Sequence, residues 1–170
     1  MIDSDVFFVF LSEAALLFVC LNASYRPEQL AKLLDMEVLE VERRIKAYEE
    51  DRTIVGYLAL INEEKTDAGR VRAVIEVKLT PEREGGFNHL ASRIARHREV
   101  TACYLMSGSY DLLAFVEGES LREVANFVSE KLSTLQGVVS TSTHFMLKPY
   151  KEHGHLLAAE EPSQRLKIAP

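Results

Sequence analysis

Hydrophobic positions along the chain recur at two spacings, and the change from one to the other divides it. From Val6 to Asp51 the period is helical. It predicts a first helix over about Val6 to Leu21, interrupted by Ser12 and Glu13 and too short for a membrane span. The loop "NASYRPEQL" ends with Pro27 at a favourable helix-start position, and Glu28 to Leu34 reads as a short second helix. Asp35 and Met36 form a tight turn before a third helix from about Glu37 to Glu50. Three helices with so short a turn between the last two predict a helix-turn-helix. The alternating "TIVGYLALI", Thr53 to Ile61, then reads as the strands or wing that follow.

Polar "NEEKTDAGR" separates this half from a second. There "VRAVIEVKL" puts Val71, Ala73, Ile75, Val77 and Leu79 on one side of a strand, and "GFNHLASRIARHR" spaces Phe87, Leu90 and Ile94 as a helix does. A hairpin follows, "YLMSGSYDLLAFVEG", and then a helix with Leu121, Val124, Val128 and Leu132 on one stripe and a capping box from Ser120 and Glu123. "VVSTSTHFML" supplies the last strand. A βαββαβ order predicts a four-stranded antiparallel sheet with two helices on one face. The fold class is therefore α+β: an N-terminal winged helix-turn-helix (1–61), a linker (62–70), a C-terminal ferredoxin-like domain (71–150) and a tail (151–170). The sheet's other face is bare and is expected to pair with a second copy.

Composition narrows the functional classes. The chain has 170 residues, 47% of them hydrophobic, enough for a sizeable core. Cys20 and Cys103 lie far apart without metal spacing, and nothing at the N-terminus resembles a signal-peptide n-region, so a reducing cytoplasm is expected. There is no Gly-rich phosphate loop, GxSxG or HExxH, and His89, His97, His144, His153 and His155 form no ligand set. No catalytic residue, metal or cofactor is expected. Within the hairpin, Ser107 to Asp111 are ordinary turn residues. They also suit the lip of a site: glycine admits close backbone approach, turn N–H groups hold a carboxylate, and Asp111 can accept from an ammonium group.

The stretches "EQLAKLLDMEVLEVERRIKAYEEDRTIVGYLALIN", "VTACYLMSGSYDLLAFVEG" and "STSTHFMLKPYK", in this element order, resemble the Lrp/AsnC family of leucine-responsive, feast/famine regulators. The resemblance covers about Leu16 to Lys151. It implies a DNA-binding transcription regulator that dimerises through its C-terminal domain, assembles into rings of dimers, and binds an amino acid or related small molecule between dimers near the hairpin turn. In that reading Tyr104, Ser107, Gly108, Tyr110 and Asp111 are the candidate effector site, completed by Thr141 and Thr143 on the last strand. On the third helix Val38, Val41, Ile45 and Tyr48 form the packing stripe. Leu39, Arg43 and Lys46 point the opposite way, suited to a thymine methyl, to guanine or phosphate, and to phosphate respectively. Arg44, on the flank, is a further phosphate candidate.

Two features depart from the family. Up to residue 66 the chain has 13 acidic against 7 basic residues, and the remainder balances at 13 against 13, so the net −6 lies wholly on the half that would face DNA. Glu37, Glu40 and Glu42 surround the expected recognition face. "FFVFLSEAALLFVCL" is hydrophobic nearly all round, which calls for cover by a partner subunit or a bound protein. The alternative is thus an oligomeric small-molecule sensor that has lost DNA binding and acts through a protein partner.

Overall fold

The computed structural model describes residues 16, 18–20, 22–66, 69–81 and 86–157. The chain separates into two compact units, Met1–Leu60 and Ile61–Pro170. Most of the expected first helix lies outside the described residues, although residues 18–20 are helical.

In the first unit, α1 spans Pro27–Leu34 and α2 spans Val38–Glu50. Pro27 opens α1, where a missing N–H costs nothing. Gln29 Oε1 accepts from the Arg26 N–H at 2.9 Å and holds the entry. Asp35 ends it in the left-handed region at φ 51°, which a short Asp side chain tolerates. The Met36 N–H then donates back to the Ala31 carbonyl at 2.9 Å. Leu30, Ala31, Leu34 and Val41 form a small core, lined by Tyr25, Met36, Val38 and Ile45.

The expected wing is corrected. Residues 55–61 form no strand, because the alternating stretch finds no neighbouring strand within the described chain. Val55 is 80% and Leu58 82% exposed. The Ile54 N–H, bonded to the Tyr48 carbonyl at 2.8 Å, and the Tyr57 hydroxyl, bonded to Glu49 Oε1 at 2.8 Å, tie this stretch to α2.

The second unit contains β1 (Val71–Leu79), α3 (Asn88–Ala95), β2 (Val100–Leu105), β3 (Leu112–Gly118), α4 (Leu121–Asn126) and β4 (Val138–Phe145). A two-residue pair follows, β5 (Lys151–Glu152) and β6 (His155–Leu156). The sheet order is β2-β3-β1-β4, antiparallel throughout, with β1 between β3 and β4. Ala73, Ile75, Val77 and Leu79 meet Leu90 and Ile94 of α3 and Val124 of α4 in one buried cluster.

Beyond α4 the helix widens into a π-helical turn, Phe127–Leu132. Phe127 and Leu132 are both buried at a spacing of five, as an i→i+5 turn requires. Of the predicted stripe, Val124 and Leu132 are buried and Val128 is half-buried, Phe127 joins the core beside them, and Leu121, at the first helical position, is 58% exposed. Ser120 Oγ accepts from the Glu123 N–H at 3.2 Å, while Glu123 Oε2 reaches back to the N–H of Glu119 rather than of Ser120.

The bare face of the sheet is mixed. It carries Tyr104, Leu113 and Phe115 beside Glu76, Lys78, Ser142 and His144. Tyr104 and Phe115 meet edge to face at 6.1 Å, and His144 Nε2 lies 3.4 Å from Glu76. At the linker end of β1, Arg72 is surrounded by Glu152, Glu63 and Glu117. Asn62 Nδ2 donates to the Leu157 carbonyl at 3.0 Å, so the β5–β6 pair and the start of the linker are held together.

Candidate functional site

The α2 helix divides as its sequence predicts. Val41 is buried and Val38, Ile45 and Tyr48 are half-buried, whereas Leu39, Arg43 and Lys46 are exposed on the other side. Leu39 at 77% exposed is a large apolar side chain with no packing reason to face water, in keeping with a contact surface. Arg44 differs from its neighbours. Its side chain is 10% exposed and its Nε donates to Glu40 Oε1 at 2.8 Å, so it is folded in rather than presented. Glu40 also takes the Arg43 guanidinium, and Lys46 Nζ lies 3.7 Å from Glu50. The Arg44 hydrogen bond, aided by the charge of Arg43, holds the Glu40 carboxyl below its ordinary value. All three cations of α2 thus have an acidic partner on the same helix. Spacings of three and four residues signalled these pairs, but sequence reasoning weighed Glu40 only as nearby negative charge.

The turn Ser107–Asp111 projects from the β2–β3 end of the sheet. Ser107 and Gly108 are exposed, and Tyr110 and Asp111 are half-buried. Gly108 has φ 151°, and an added Cβ would meet nothing within 4 Å. Glycine is needed there for backbone conformation, and the turn lies open on that side. Asp111 is turned inward: its Oδ2 accepts from the Leu79 N–H at 2.7 Å, the Asp111 N–H donates to the Val77 carbonyl at 3.0 Å, and its carbonyl accepts from the Met106 N–H at 2.8 Å. It therefore braces the turn against the end of β1, which sequence spacing could not reveal because the partner lies 32 residues away.

One protomer does not gather all the candidate effector residues. Tyr104 pairs with Leu113 and belongs to the bare face, 54% exposed. Thr141 and Thr143 pair with Val77 and Ile75, whose side chains are core, so both threonines point to the helix-covered face on the opposite edge strand. Ser133 Oγ lies 3.4 Å from Thr141 Oγ1, consistent with that side. Ser107, Gly108, Tyr110 and Asp111 are together in the turn; Tyr104 and the two threonines are not with them. Among the described residues no group of three or more His, Cys, Asp or Glu side chains is arranged to hold a metal ion, and no helix is long and apolar enough to cross a membrane.

The family profile for the Lrp/AsnC ligand binding domain matches residues 72–156, half of the chain. The chain belongs to the Lrp/AsnC family. Its similarity extends over the first unit as well. It is 44% identical over 144 residues to the HTH-type transcriptional regulator YugG of Bacillus subtilis, covering 84% of this chain and 87% of that protein. It is 29% identical over 126 residues to a proline dehydrogenase transcriptional activator of Rhizobium radiobacter, covering 74% and 80%. Among solved structures, a Neisseria meningitidis transcriptional regulator in complex with L-Met matches with TM-score 0.66 at 22% identity, covering 86% of this chain and 95% of that one. That likeness shows the fold: an N-terminal helix-turn-helix followed by a ferredoxin-like domain. As a member of the Lrp/AsnC family, the chain is a helix-turn-helix DNA-binding transcriptional regulator that senses small molecules.

Proposed function

We propose that this Lrp/AsnC regulator binds its operator through Leu39, Arg43 and Lys46 of α2 and takes an amino acid or related small metabolite at the turn Ser107–Asp111. Its working divisions are 1–61 for DNA, 62–70 as linker and 71–150 for effector and assembly, and it acts in the cytoplasm as a homodimer that joins into larger rings. The carrying observation is the division of α2: one side closes a core and the other presents Leu39, Arg43 and Lys46 to solvent. The effector class is supported by the L-Met bound to the Neisseria protein and by the open approach to Gly108. Assembly is supported by the apolar side chains on the bare face of the sheet and by the exposed segment 55–61, because one protomer covers neither. Tyr104, Thr141 and Thr143, separate from the turn in one protomer, join an effector site only if neighbouring copies bring them to it.

A second reading rests on one observation. The pairing of Arg43, Arg44 and Lys46 with Glu40 and Glu50 leaves little charge for phosphate, as expected of a sensor that no longer binds DNA and works through a protein partner. One experiment decides: binding to DNA from the protein's own promoter, titrated with salt, with and without a panel of amino acids. Specific binding that is lost in Arg43→Ala/Lys46→Ala and shifts with one amino acid supports the operator reading. An unchanged affinity in the double variant sinks the assignment of this face, and no binding at low salt favours the sensor.

A further inference from the structure

If the recognition helix neutralises its own cations, phosphate affinity has to come from elsewhere on the molecule. Residues 82–98 have four arginines and two glutamates in a chain of net charge −6, and from Gly86 to Arg98 there is no acidic residue at all. Helix α3 displays this charge in an ordered way. Leu90 and Ile94 face the core, and at 100° per residue His89, Arg93 and the C-cap residue Arg96 fall within a stripe about 60° wide on the flank of the helix, about 110° from the core direction. The stripe is about 10 Å long, seven residues at 1.5 Å each.

Arg93 and Arg96 are both exposed, and neither has an ion pair among the described residues. This is the opposite of Arg43 and Lys46. Beside the stripe is a cleft of about 460 Å³ lined by Thr80, His89, Arg93, Gln136 and the backbone of Gly137, with no carboxylate among the described residues that line it. Hydroxyl, amide and guanidinium donors are the groups that hold phosphate oxygens without reading bases.

We propose that the flank stripe of α3, carried by Arg93 and Arg96, is a second contact on the DNA, gripping its phosphate backbone without regard to sequence. This rests on the operator reading above, and assigns part of the affinity of that complex to the effector domain. Two exposed arginines with no carboxylate partner among the described residues gain more from phosphate than cations already paired within their own helix.

The test is the salt dependence of operator binding by full-length Arg93→Gln/Arg96→Gln, with assembly state and melting temperature measured alongside. Each phosphate contact contributes about 0.9 to the slope of log affinity against log salt, so the variant should lose about 1.8 for each protomer whose stripe is engaged. Between 50 and 200 mM salt its affinity would then fall less than that of the unmodified protein by a factor of about 12 for each engaged protomer. The preference for operator over unrelated DNA should be unchanged, and Arg93→Lys/Arg96→Lys should restore the slope. If the glutamine variant does not assemble, the unmodified chain decides: DNA should protect Arg93 and Arg96 from phenylglyoxal, and full modification within the complex overturns the proposal. An unmodified protein that binds DNA with the same slope as the variant overturns this contact alone. An unmodified protein that binds no DNA overturns the operator reading and this contact with it.

Discussion

Replacing Asp111 by Ala tests whether the turn Ser107–Asp111 is braced by its own acid. The side chain makes one charge-assisted bond, to the buried Leu79 N–H at 2.7 Å, while the two backbone bonds of Asp111 survive the substitution. Hydrogen bonds to charged groups contribute about 1.5–3 kcal/mol, and an orphaned buried N–H costs about 1–3 kcal/mol. Because Asp111 is half-buried rather than sealed, the lower part of that range applies, about 2 kcal/mol. Asp111→Asn keeps an acceptor and should cost less than about 1 kcal/mol. Urea unfolding with the slope held constant reads the difference: at about 2 kcal/mol per molar, Ala lowers the midpoint by about 1 M and Asn by less than half of that. Calorimetric titration of the amino acid that shifts DNA binding is run on the same variants. An Ala variant with an unmoved midpoint and no effector binding would refute the brace and make Asp111 a ligand group. A lowered midpoint with full-strength binding would remove Asp111 from the site.

Three further outcomes are expected. Glu40→Gln releases Arg43 from its partner, so operator binding should tighten at low salt and its salt slope steepen by about 0.9 per protomer; an unchanged slope in a filter-binding titration refutes it. Ile94→Ala empties a fully buried site between α3 and the sheet and should cost about 2–5 kcal/mol, visible as a lowered melting temperature. Hydrogen bonding from Arg72 holds the Glu152 carboxyl below its ordinary 4.5, so its stabilising effect is fully present above that value and disappears as pH falls through the depressed one. Urea midpoints should therefore drop more steeply below about pH 4.5 in the unmodified protein than in Glu152→Gln.

The hydrophobic period was enough to locate most of the elements, because the pleat of β1 and the stripes of α2 and α3 are local consequences of which side must be dry. Pro27 and Ser120 marked helix starts for equally local reasons. What escaped depends on partners distant in sequence. Segment 55–61 has strand composition but pairs with no strand among the described residues, and pairing makes a strand. The π-helical turn, Phe127–Leu132, is invisible to a stripe counted at 3.6, and the end position of Leu121 left it outside the core. Thr141 and Thr143 share a face, as alternation requires, but which face followed only from their register with Val77 and Ile75. Asp111 and Arg44 both read as polar groups free for a ligand, and each is occupied by a neighbour within the fold.

The place of β1 between β3 and β4 has a mechanical consequence. One end of the strand is bonded to the turn Ser107–Asp111 through Leu79, and the other, at Val71, continues from the linker, about 27 Å away at 3.4 Å per residue. Ladders on both sides clamp it, and a slip of one residue would turn Ile75 and Val77 out of the core, so β1 is a strut that cannot creep in small steps. A molecule seated at the turn has no soft spring within this sheet to compress. On the proposed assembly, its message would leave through the surfaces where copies of the chain touch, as a change in how rigid bodies are stacked.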